Sequence, residues 1–285
     1  MSNLFSGLEN LGFGNLSGIE LFEHKEKEKA KAKKAAEPVE VREADLIFDK
    51  TFVCPVCDQE FKSKFVRTGK VKLIAQDSDL RPRYQHVDSL KYDAVVCPHC
   101  GYAALNRFFN FMTSAQARLI RENISATFRG LKESPDALTY DDAITKHKLA
   151  LVNAVVKRAK ASEKAYTCLK LAWLIRGKSE TLPEDTPDIE NVKKELEVQE
   201  KEFILNAYEG FNEAFSKEPF PMCGMDETTL TYLVADLARQ SGKFDEALRM
   251  IARVLTSREV NERIKAKARE MKDQIREAMG KEKEE

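Results

Sequence analysis

The apolar residues of this chain change rhythm near residue 105. Before it they alternate over short runs. In EFKSKFVR, Phe61, Ser63 and Phe65 share one side, and after Thr68 and Gly69 the run KVKLIAQ alternates again through Val71 and Leu73. Period-two patterning reads as strand, and two such runs across a glycine predict a β-hairpin. YDAVV, residues 92–96, reads as a third short strand, and the polar DSDLRPRYQHVDS before it as irregular chain.

From about residue 104 the spacing is helical. TSAQARLIRENISATF sets Ile120, Ile124 and Phe128 on one face behind a Ser114 cap. YDDAITKHKLALVNAVV and SEKAYTCLKLAWLIR follow closely, and TLPEDTPD breaks the pattern. IENVKKELEVQEKEFILNAYEGFNEAF is a long helix stopped by Pro219 and Pro221; DETTLTYLVADLARQSG and KFDEALRMIARVLTS are divided at Gly242. A last helix aligns Ile264, Ala268, Met271 and Ile275. Ala207, Phe211, Ala214 and Pro219, and again Ala235, Gly242, Phe244 and Ala247, have the spacing of tetratricopeptide-like repeats. In such repeats small residues let paired helices touch, and stacking buries faces that a single repeat leaves open.

The first 45 residues fit neither rhythm. Residues 1–22 are rich in Leu and Phe but broken by four glycines, and read as a docking segment. EHKEKEKAKAKKAAE has no apolar face and reads as a solvated helix or tether. The expected organisation is α+β: a docking segment and charged linker over 1–45, a small β module over 46–105 and a helical repeat domain over 106–280.

Composition narrows the function. The 285 residues are 33% charged with a formal net charge of zero, so no whole-molecule field draws the chain to nucleic acid or anionic lipid. No apolar run approaches the roughly 20 residues that span a bilayer. The N-terminus lacks a basic leader and an unbroken apolar stretch, so the expected location is the cytoplasm. There, six cysteines point to metal or redox chemistry rather than disulfides.

Four of them form CPVC and CPHC, at Cys54, Cys57, Cys97 and Cys100. Proline after the first cysteine fixes φ, and a residue tolerant of the left-handed region (Asp58, Gly101) after the second suits a zinc knuckle. Two knuckles supply the four thiolates of a closed tetrahedral site for one structural zinc, in a module whose own apolar core is small. The competing reading, a dithiol oxidoreductase, requires a CxxC at a helix N-terminus in a βαβ layout, which the pattern lacks, and leaves the second pair without a role. The spacing from Cys57 to Cys97 is wider than in a compact ribbon. His86 and His99 read as bystanders, and Cys168 and Cys223 as small buried apolar residues.

The paired CPxC motifs, DSDLRPRY, YDAVVCPHCGYAA and the helices bearing AWLIR and TYLVADLARQSGKFDEAL together resemble the bacterial domain of unknown function 2225, over roughly residues 48–275. The resemblance implies a metal-binding module joined to tetratricopeptide-like repeats, with the four cysteines and Asp77, Asp79, Tyr84, Tyr92, Gly101 and Tyr102 at recurrent positions. It implies no activity.

Asp77, Asp79, Arg81, Arg83 and Tyr84 read either as an internally salt-bridged loop or as a recognition loop for an anionic or peptide ligand. The lysine-rich stretch with Lys62, Lys64, Arg67, Lys70 and Lys72 offers a nucleic-acid face, but Phe61 and Phe65 alternate with the charges and read as core. Trp173, Tyr166, Tyr232 and His147 read as packing. No phosphate loop, HExxH or nucleophile–base arrangement occurs. The expectation is a non-catalytic, zinc-binding protein-interaction scaffold or adaptor of the bacterial cytoplasm, with a partner peptide on the repeats. A nucleic-acid-binding zinc-ribbon regulator is the alternative.

Overall fold

The computed structural model describes residues 41–258 and 260–281. The apolar segment 1–22 and the charged linker lie outside them. Among the described residues, three separate two-stranded antiparallel sheets precede seven α-helices, an α+β arrangement.

Strands β1 (Ile47–Val53) and β2 (Glu60–Val66) pair with Ile47 opposite Val66 and Val53 opposite Glu60. The expected hairpin of β2 with the next run does not form. Residues Thr68–Lys70 make one 3₁₀ turn that carries the chain onward instead of reversing it. The run beyond, β3 (Leu73–Gln76), pairs with β4 (Pro82–Tyr84) across DSDL. The true partner of β2 was hard to see, because β1 keeps only Ile47, at its start, and Phe52 buried, with four exposed positions between them. Strands β5 (Ala94–Val96) and β6 (Ala103–Leu105) form the third hairpin around CPHC.

Helix α1 (Ser114–Ile120) opens with a capping box in which Thr113, one residue before the expected Ser114, accepts from the Gln116 N–H. It continues through a π turn at Arg121–Ser125. Helices α2 (Tyr140–Val156), α3 (Ala161–Glu180), α4 (Ile189–Lys217), α5 (Glu227–Gln240), α6 (Phe244–Thr256) and α7 (Glu262–Lys281) then pack each against the next in chain order. The turn from α5 to α6 uses Gly242 at φ +73°.

The helices differ in how much of their surface is covered. Every residue from 167 to 175 in α3 and from 230 to 238 in α5 is buried. A helix stretch buried on all sides must be enclosed by neighbours, so these parts of α3 and α5 lie inside the array. Of the predicted α7 face, Ala268, Met271 and Ile275 are fully covered and Ile264 is half-buried. Ala207, Phe211, Ala214, Ala235 and Ala247 are each 0% exposed. Helix α2 joins the two regions: Ala150 packs with Val96 and Ala103 of the third hairpin.

Candidate metal centre and the aspartate turn

Each cysteine pair sits at the end of a hairpin, and the two turns repeat one hydrogen-bond pattern. Cys54 N–H donates to the Gln59 carbonyl at 3.0 Å and Asp58 N–H to the Cys54 carbonyl at 2.9 Å. Cys97 N–H donates to Tyr102 at 2.8 Å and Gly101 N–H to Cys97 at 3.0 Å. The residue after the second cysteine of each turn is left-handed, Asp58 at φ 60° and Gly101 at φ 73°, as the sequence required. At Gly101 a side chain would also collide with the Phe128 ring, 2.5 Å from an added Cβ.

The four Sγ atoms all lie within 4.8 Å of one another. Two of the separations cross between the knuckles: Cys54 to Cys100 at 3.6 Å and Cys57 to Cys97 at 3.7 Å. A tetrahedron of Zn–S bonds about 2.3 Å long has edges of about 3.8 Å. The donor set therefore fits a four-coordinate ion. Cys54, Cys97 and Cys100 are buried and Cys57 is half-buried. The backbone N–H of Val56 also points at Cys54 Sγ, at 3.5 Å. Hydrogen bonds with Cys100 and Cys54 favour the thiolate of Cys97, whereas the contact with Cys100 pushes Cys54 up.

Around the sulfurs pack Phe52, Phe61, Tyr102 and Phe109, with Ala117 and Ile120 of α1. Tyr102 donates to the Phe109 carbonyl at 2.9 Å. His99 and His86 are exposed and take no part in the cluster. Cys168 is buried, and Cys223 donates its thiol to the Ser162 carbonyl at 3.3 Å; burial pushes both up to about 12. His147 is fully buried, with Nδ1 on the Ala143 carbonyl at 2.7 Å.

The Asp77 to Tyr84 segment is placed elsewhere. The β3–β4 turn reaches into the helices. Arg176 of α3 bonds Asp79 at 2.8 Å, Asp77 at 3.4 Å and Glu200 of α4 at 2.7 Å. Asp79 is 0% exposed. Arg81 and Arg83 both bond Glu180, at 3.0 and 2.7 Å. Ser78 Oγ donates to Asp236 of α5 at 3.0 Å, and Tyr232 donates to the Ser78 carbonyl at 2.8 Å. Lys267 of α7 donates to the Asp77 and Gln76 carbonyls, at 2.9 and 3.4 Å. Burial disfavours the charged forms of Asp77 and Glu180, but Arg83 and Arg81 outweigh it and hold both carboxyls below their usual values. Tyr84, half-buried, stays in the stem, opposite Leu73.

The helical half of this joint was not singled out from the sequence. Its signal was there: Arg176 directly follows the apolar LAWLI, and Asp236 interrupts YLVADLA. A charge inside an otherwise buried helical run needs a partner.

On the basic stretch, Phe61 is buried and Phe65 half-buried, as expected. Lys64 stands opposite Asp49 across the β1–β2 ladder, which dilutes its field.

Residues 47–275 match one protein family, described as "Uncharacterized protein conserved in bacteria (DUF2225)". No curated protein and no solved structure matches the chain.

Proposed function

The chain belongs to this bacterial DUF2225 family, and on that premise we propose that it is a non-catalytic protein-interaction scaffold or adaptor of the bacterial cytoplasm, braced by one structural zinc ion. The convergence of four sulfurs carries the reading. Cys54, Cys57, Cys97 and Cys100 would hold the ion, and four thiolates leave it no open position for chemistry. The bound ion would supply rigidity, locking the β1–β2 and β5–β6 knuckles against each other.

Two observations weigh against dithiol redox chemistry. Sulfur contacts at 3.6 and 3.7 Å join one knuckle to the other, so the four thiols make one cluster and not two independent dithiols, and each pair ends a hairpin instead of opening a helix. The stacked helices support the binding half of the reading. Ala207, Ala214, Ala235 and Ala247 are fully buried, in keeping with the small contact residues expected of tetratricopeptide-like repeats, an architecture whose faces suit peptide segments. Among the described residues no helix is long and apolar enough to cross a membrane.

The test is native mass spectrometry of protein purified without added metal, with a crosslinking map of any co-purified partner. One zinc per chain and crosslinks on α3 to α7 are expected. Crosslinks confined to residues 62–72 together with recovered nucleic acid would reject the scaffold reading. Catalysed disulfide exchange that vanishes in Cys97→Ser while the fold persists would reject the structural metal.

A further inference from the structure

We propose that the helical surface receiving the β3–β4 turn is a peptide-recognition site for an acidic turn with two aspartates one residue apart, filled in this chain by its own Asp77, Ser78 and Asp79 and open to a partner's acidic turn when the hairpin withdraws. The inference rests on the scaffold reading and supplies its ligand chemistry.

The site reads a short segment the way a peptide receptor does. Main-chain carbonyls of Gln76, Asp77 and Ser78 are taken by Lys267 and Tyr232. Side chains give the selectivity: Arg176 takes both aspartates, and Asp236 accepts from Ser78. These receptors come from α3, α5 and α7, so only the assembled array presents them together. Main-chain contacts supply affinity and side-chain contacts specificity.

The joint is also built to part. Its tip bonds through ions and hydrogen bonds apart from Leu80, which packs on the helical core, so separation would expose charged groups that water can solvate and little apolar surface. The β3 stem is not sealed: Leu73 is 49% and Ile74 60% exposed. Leu80 sits at φ 66°, a conformation that costs an L-residue energy and that the free turn would leave. Beside the turn lies a cavity of about 210 Å³, lined by Gln76, Ser78, Tyr232, Lys267, Glu270 and Gln274. It gives room for a residue larger than serine between the two acids.

The experiment uses the full chain, its variant Asp77→Asn/Asp79→Asn, and a fluorescent synthetic peptide of residues 73–84 read by anisotropy. The variant, whose own turn is weakened, should bind the peptide about tenfold more tightly than wild type. Peptide carrying asparagine at both positions should not bind, and adding Arg176→Gln should abolish the gain. If the variant keeps its helical circular dichroism yet takes up no peptide, the turn is a fixed structural joint and the proposal fails. Should the variant not fold, hydrogen exchange on wild type decides: excess acidic peptide should speed exchange at amides 77–81, and unchanged exchange overturns the proposal. Partner crosslinks on α3 to α7 without peptide binding would remove this site and leave the scaffold standing. Peptide binding without such crosslinks would do the reverse.

Discussion

Around Cys54 and Cys100 three buried sulfurs and the half-buried Cys57 mix with a handful of aromatic rings, whereas α3 and α5 each bury nine consecutive residues, 167–175 and 230–238. The sulfur-centred module brings together knuckles far apart in sequence, and its strands are at most seven residues long. An isolated two-stranded sheet is marginal in water. The helical array is assembled from neighbours in chain order, and each fully buried leucine there contributes about 1.5–3 kcal/mol. One region depends on a few atoms meeting at a point, the other on many contacts that add up. Removing a single group should therefore cost the first far more than the second.

The largest effect should come from the sulfurs. A chelator, or Cys97→Ser, should remove hydrogen-exchange protection from β1, β2, β5 and β6 while far-UV circular dichroism of the helices changes little. Binding of structural zinc by such sets is worth on the order of 10 kcal/mol. Strands that stay protected in chelator would break the contrast.

Next is the place where the array behaves like the module. Arg176→Ala leaves the fully buried Asp79 without its cation and should destabilise the protein by about 3–5 kcal/mol in urea denaturation. A loss under 1 kcal/mol, roughly that of a surface pair, would mean that the joint is solvated.

His147 provides a pH test. Burial holds its pKa down, at about 4 against 6.5, opposed by Asp93, with Lys170 and Lys146 adding to the depression. The folded state thus binds this proton less readily than the unfolded chain. Its stability contribution is complete above about pH 6.5 and is lost as pH falls toward 4, by on the order of 3 kcal/mol. His147→Asn, whose amide can reach the Ala143 carbonyl, should flatten thermal stability across that window.

The smallest pair compares one glycine from each region. Gly242→Ala, with nothing within 4 Å of the added Cβ, should cost only the backbone term of about 1 kcal/mol. Gly101→Ala meets the same φ penalty and the Phe128 ring as well, so its melting temperature should fall further.

Local signals carried most of the architecture. CPVC and CPHC announce their own turns, because proline, Asp58 and Gly101 fix the backbone within five residues. The helices were legible because Ile264, Ala268, Met271 and Ile275, or Pro219 and Pro221, state face and boundary within a few turns of chain. What failed was pairing over distance. β2 was matched to the next alternating run because nothing within β1 marks it as the partner. The destination of Asp79 was hidden for a related reason: its partner Arg176 lies 97 residues away, in a helix read only for its apolar stripe.

The grip on the aspartate turn also has an order in time. Its last clasp, Lys267, follows Asp77 by 190 residues. As the chain leaves the ribosome the turn is made early, long before α7 exists to hold it. Arg176 and then Tyr232 and Asp236 reach the tip first, and until α7 has emerged the turn lacks the contact that ties its backbone to the far side of the helical array.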